Sequence, residues 1–166
     1  VDAQNKLRKH IPDPAGMKAP AALLTLTGLA NRRDVLERAP FEGVSTFYGY
    51  YMLLAKDTRP ALELIRRYWG TMLKLGATSF WEDFDLKWAE NAFGIDTLPV
   101  PERKDIHSDF GQYCYQGLRL SLCHGWSSGP APFLSQRVLG VSFPEPGKVK
   151  IQPNLGDLEF VRGIVP

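Results

Sequence analysis

The sequence predicts a mainly helical chain followed by a short antiparallel β segment, and three observations carry that prediction. Apolar residues recur at helical spacing in three segments before residue 75. No alternation of strand and helix, as a parallel sheet would need, occurs anywhere. Past SFPEPG the period changes to two: Val149 and Ile151 alternate with Lys148 and Lys150. The expected organisation is helical hairpins over residues 1–143, then the start of a β region over 144–166.

Each element follows from local chemistry. PAALLTLTGLA, residues 20–30, reads as a helix with Pro20 in its first turn, where a missing N–H costs nothing. FEGVSTFYGYYMLLAK, residues 41–56, reads as a second, with Phe47, Tyr48, Tyr51, Met52 and Ala55 on one face. The third has the clearest stripe, made of Ala61, Leu62, Ile65, Tyr68, Trp69, Met72 and Leu73, with Glu63, Arg66, Arg67 and Lys74 off it. Thr58 is its expected cap and Gly76 its end. Residues 91–112 hold no sustained period and read as a long excursion, of the kind that often carries function. A short helical piece is expected around GLRLSLC, then the loop HGWSSG, then a helix from Pro130 to Gly140. In the last stretch, NLGD marks a turn between KVKIQP and a second strand-like run, LEFVRGIV.

The bulk numbers exclude some functions. A chain of 166 residues buries roughly 70% of its unfolded surface, enough for one core. Twenty Lys and Arg against eighteen Asp and Glu leave a formal charge of +2 without a basic cluster, so the electrostatic footprint of a nucleic-acid binder is missing. No apolar run approaches the roughly 18 residues of a membrane span. Cys114 and Cys123 make no disulfide framework. The polar start VDAQNKLRKHIPDP lacks the apolar stretch of a signal peptide, and the last residues stop in strand-like sequence, so both ends read as cuts.

The chemistry-bearing candidates lie in loops. LGATSFWEDFD, residues 75–85, places Phe80, Trp81 and Phe84 against Glu82, Asp83 and Asp85. Flat apolar rings beside hydrogen-bond acceptors suit a sugar, while core plugs beside a solvated acidic turn are the structural alternative. Glu82 and Asp83 cannot share the work of a glycosidase, since its two carboxyls stand about 5 to 9.5 Å apart across the scissile bond. A metal site would have to combine His107, Asp109, Cys123 and His124, whose spacing matches no ligand motif, so no metal and no cofactor is expected. GWSSG, residues 125–129, matches the form of a serine nucleophile motif, but that mechanism needs a strand before the serine. Ser127 or Ser128 reads better as a cap for the helix at Pro130.

Three blocks, in order, resemble one family. IRRYWGTMLKLGATSFWEDF resembles the helix and loop of the bacterial α-L-rhamnosidases of glycoside hydrolase family 78, where the pattern is close to W-x-x-M-L-x-x-G-A-T-T-x-W-E. SLCHGWSSGPAPFLSQRVLGV resembles that family's S-L-C-H-x-W-S-x-G-P block, and PGKVKIQPNLGDLEFVRGIVP its passage into a C-terminal β-domain. The resemblance covers nearly the whole chain from Ala21 onward.

The resemblance implies an (α/α)6 barrel that hydrolyses terminal α-L-rhamnosyl groups with inversion. It puts Glu82 on the general base, His124 on a sugar-contacting histidine, and Trp126 and Trp81 on neighbouring tryptophans, Trp81 as a support for Glu82. It also implies that the general acid lies upstream of Val1. These residues would then be the C-terminal part of the barrel, inactive alone, with the remainder of the parent chain and a rhamnose-containing oligosaccharide, polysaccharide or glycoside as partners. A periplasmic or extracellular setting is the expectation. The competing reading, from another class, is a non-catalytic carbohydrate-binding or scaffold module that keeps the aromatic loops.

Overall fold

In a computed structural model of the chain, residues 2–98, 101 and 121–164 are described. They are mainly helical with one short antiparallel pair of strands. The helices are α1 (Asp2–Arg8), α2 (Lys18–Leu26), α3 (Arg33–Glu37), α4 (Gly49–Ala55), α5 (Thr58–Lys74) and α6 (Pro130–Phe133). The strands are β1 (Val141–Glu145) and β2 (Lys148–Ile151). None of the described helices is long and apolar enough to cross a membrane.

The third expected helix is the spine. Along α5 the residues Ala61, Leu62, Leu64, Tyr68, Trp69 and Met72 are buried, whereas Leu73, assigned to the apolar stripe, is 68% exposed. Thr58 is its first residue rather than its cap, and Asp57 stands at the cap position without a side-chain bond to the helix. Gly76 ends it as expected: φ is +94°, and the N–H groups of Gly76 and Ala77 reach back to Leu73 and Met72. That backbone suits a residue without Cβ. Packing against α5 is close enough to select another glycine, since a Cβ on Gly49 of α4 would stand 2.7 Å from the Trp69 ring.

The second expected helix is half its expected length. Only Gly49–Ala55 is helical, and residues 41–48 are turns, bends and irregular chain. The Ser45 and Thr46 side chains compete with helix there: Ser45 Oγ accepts from the Tyr48 N–H at 3.4 Å, and Thr46 Oγ1 donates to the Glu82 carbonyl. Of the apolar face read from the sequence, Met52 and Ala55 are buried, while Phe47 and Tyr48 are exposed.

Two short helices went unread. In α1 all seven residues are exposed, with a Lys6–Asp2 ion pair one turn apart. The five-residue α3 buries Leu36, and two lysines finish it from neighbouring elements. Lys56 Nζ donates to the Leu36 carbonyl at 2.8 Å, and Lys18 Nζ donates to the Ala39 carbonyl. Leu36 lies in the last turn, where a cation satisfies an acceptor that the helix leaves open, and Ala39 lies just beyond it.

Near the C-terminal end the helix expected from Pro130 to Gly140 is present. Pro130–Phe133 is α-helical, Leu134–Val138 widens to a π turn, and Gly140 follows with φ +77°. The strand pairing differs from expectation. The partner of β2 is the preceding β1, joined through Pro146 and Gly147, whose φ of +74° suits the third position of a type II turn. NLGD does turn, with Gly156 at φ +58°, but residues 158–164 form no strand. β1 spans the boundary expected between 143 and 144.

One core joins these elements. Ala21, Ala22 and Leu36 meet Met52 and Leu53 of α4, the buried face of α5, and Trp81, Phe84, Trp88, Phe133 and Val138. α2 packs on α3 and α4, and α4 also on α5 and α6. Arg66 ties α5 to the later turn through two bonds to Asp157, at 2.7 and 3.1 Å. That guanidinium holds the Asp157 carboxyl below its ordinary range.

Candidate active site

Residues 79–85 leave α5 as an extended loop whose side chains divide between core and surface. Trp81 and Phe84 point inward, 1% and 2% exposed, with ring centroids 5.7 Å apart. Phe84 also meets Tyr68 at 5.4 Å and Trp88 at 6.3 Å, all edge to face. Tyr68 donates its hydroxyl to the Phe84 carbonyl, so α5 grips the loop by a polar tip as well as by packing. Between these plugs Glu82 and Asp83 are half-buried. Asp83 accepts from the Phe84 N–H at 2.8 Å, and Asp85 caps the turn at Leu86–Ala89 by accepting from Lys87 N–H. These two acids serve local backbone.

The loop lies alongside residues 121–124. The Glu82 N–H donates to the Ser121 carbonyl at 2.8 Å, and the His124 N–H donates to the Phe80 carbonyl at 2.7 Å. The Ser121 N–H in turn donates to Glu82 Oε2 at 3.0 Å, so one carboxylate oxygen is oriented by backbone. Residues 121–124 form neither helix nor strand, and the helical expectation for GLRLSLC fails over its described part, residues 121–123. Pairing with the Glu82 loop satisfies backbone groups that a helix would have satisfied internally. Residues 117–120 lie outside the described residues, as do His107, Asp109 and Cys114.

A second clamp acts on the Glu82 carbonyl. Thr46 Oγ1 donates to it at 2.5 Å and Trp126 Nε1 at 2.6 Å, from opposite directions in the sequence. Thr46 is 2% exposed, so its hydroxyl is spent inside the protein. Sequence reading missed Thr46 by placing it inside a helix; the run GVST, with its glycine and two hydroxyl side chains, was the available signal for a later helix start.

Trp126 brings the surface part of the site together. Its ring lies 4.1 Å from the His124 ring, tilted by 40°, and 5.7 Å from Phe47 at 62°. Phe47 in turn meets Tyr48 edge to face at 4.9 Å. Phe47, Tyr48 and Trp126 are 42%, 38% and 46% exposed, and His124 is half-buried. Of the four residues proposed from sequence, Glu82, His124 and Trp126 thus share one surface region, and Trp81 lies beneath it in the core. Rings of this kind offer apolar faces, while the carboxylate offers acceptors.

The serine reading of GWSSG loses its geometry. Ser127 is fully buried, its hydroxyl donates to the His124 carbonyl at 3.0 Å, and its own carbonyl accepts from Trp69 Nε1 at 2.9 Å. Nor does either serine cap α6 through its side chain, for Gly129 occupies the cap position. A Cβ there would come within 2.8 Å of Tyr50 Cβ. Cys123 is exposed and accepts from Ser79 Oγ at 3.4 Å. Among the described residues no group of three His, Cys, Asp or Glu side chains is placed to hold a metal ion.

No protein-family model matches the chain, and no curated protein matches it.

Proposed function

We propose that this chain is part of an inverting glycoside hydrolase that releases terminal α-L-rhamnose from rhamnosides, with Glu82 as the general base. In this reading the helices belong to an (α/α)6 barrel, and the general acid comes from residues outside these 166. The observation that carries it is the convergence on Glu82: residues 121 and 126, some forty positions along the chain, bond to its carboxylate and its carbonyl. A carboxylate oriented by one backbone N–H, beside exposed aromatic rings, suits a base that holds a water beneath a sugar. Trp81 supports the loop from below, and His124 and Trp126 form the wall.

In the full-length protein Glu82→Gln lowers hydrolysis of an aryl α-L-rhamnoside by about 10²- to 10⁴-fold, the range for a lost acid or base. The released sugar is the inverted anomer, followed by nuclear magnetic resonance. Unaltered turnover per folded molecule in Glu82→Gln rejects the assignment. A non-catalytic carbohydrate-binding module is the second reading, favoured by the exposure of Phe47, Tyr48 and Trp126. It predicts sugar binding, lost in Trp126→Ala, in a protein that shows no turnover.

A further inference from the structure

Away from the Glu82 loop, a cavity of about 600 Å³ opens between the start of α2 and the turn after α3, and it shares no residue with that loop. Its walls include Ala15, Lys18, Val35, Arg38, Ala39 and Glu42. Lys18 is only 7% exposed, an uncommon position for an amine. Among the described residues it meets no carboxylate at salt-bridge distance. Its amine donates to the Ala39 carbonyl, and Lys56 delivers a second amine to the Leu36 carbonyl, three residues away. The backbone around the cavity is strained as well. Ala15 and Ala39, with φ of +48° and +45°, are two of the three non-glycine residues at positive φ among the described residues. Such conformations gather at functional sites.

From this juxtaposition of a buried amine, a neighbouring lysine and a strained cavity wall we propose that Lys18 is a nucleophilic amine that condenses with small aldehydes entering the cavity. Burial and the like charge of Lys56 are the two conditions that activate a lysine by favouring its neutral form. Both act here, burial first and Lys56 second, against a smaller opposing effect of Glu42, and bring the Lys18 pKa from 10.5 to about 8. At pH 7 about one Lys18 in ten is then neutral, against about one in three thousand for an ordinary lysine. Arg38 is the other charged group on the wall, and Glu37 faces Lys56.

The step balances without a cofactor. The Lys18 lone pair forms the N–C bond while the carbonyl π pair moves to oxygen, which gains a proton as nitrogen loses one. The resulting hydroxyl leaves as water after a second protonation from solvent, and the nitrogen pair closes the C=N bond. Cyanoborohydride reduces that imine by adding hydride to carbon, which fixes the adduct.

The test incubates the native full chain with acetaldehyde and sodium cyanoborohydride at pH 7 and maps ethylated lysines by peptide mass spectrometry. Lys18 should be modified at least about ten-fold faster than the exposed Lys148 and Lys150, with an advantage that narrows as the pH rises above about 8. Unfolding in urea should erase the difference. Lys56→Met should slow Lys18 labelling several-fold by removing the like charge. Labelling of Lys18 at or below the rate of Lys148 and Lys150 overturns the proposal. So does a Lys18 advantage that survives in urea, which would place its cause in local sequence rather than in the cavity.

Discussion

The loop at residues 79–85 and the β1–β2 hairpin reverse the usual link between regular structure and order. The loop has no helix or strand, yet two of its aromatics are core residues and its backbone is bonded to Ser121, His124, Thr46, Trp126 and Tyr68. The hairpin pairs Val141 with Ile151 and Ser142 with Lys150, shifting register before Glu145–Lys148, yet all of β2 is exposed, with Val149 at 58% and Ile151 at 67%. An isolated two-stranded hairpin is marginal in water. Stability in this chain therefore follows burial and long-range bonds, and regular backbone geometry is a poor guide to it.

Mutations should separate the two regions by the size of their effect. Trp81→Ala removes a fully buried indole, and its cost should be about 3 to 5 kcal/mol in denaturant unfolding. A cost under about 1 kcal/mol would mean that the loop is not part of the core. Next in size is a pH effect at the far cavity. Lys18 has a folded pKa of about 8 against 10.5 unfolded, so between those values the unfolded chain binds more protons and stability rises with pH. The gain should shrink in Lys18→Met, leaving the part that Lys56, also lowered by burial, contributes.

Thr46→Val leaves the Glu82 carbonyl with one donor fewer and should cost about 1 to 3 kcal/mol. If Glu82 is the base, turnover should fall with KM nearly unchanged, and Thr46→Ser should restore it. Equal losses in the valine and serine variants would deny the clamp a positioning role. At the small end, Ile151→Thr on the hairpin should change stability by no more than about 0.5 kcal/mol. A larger change would show that β2 is packed after all, and the comparison would fail.

Much of the helical framework was legible because it is local. The α5 stripe is a periodicity, Gly76 a left-handed stop, and Pro130 a helix start, each readable within one or two turns of chain. The misreadings share a cause. Residues 41–48 carry a helical apolar pattern, but their Thr46 finds a partner thirty-six positions away. Residues 121–123 read as helical, but their backbone is paired to the Glu82 loop. β2 found its partner before it rather than after it, because Pro146 and Gly147 make a tighter turn than NLGD.

The candidate site divides along the same line. The sequence by itself determined which residue types are on offer, since a glutamate between aromatics and a histidine beside a tryptophan are visible as letters. Only the tertiary structure decided which of them meet, which face outward and which are core. Trp81 and Trp126 are alike as letters, yet one is 1% exposed beneath the loop and the other 46% exposed upon it. The physical reason is range: propensity and capping act over a few residues, whereas burial and the pairing of backbone groups are settled by contacts between distant segments, once the core has closed.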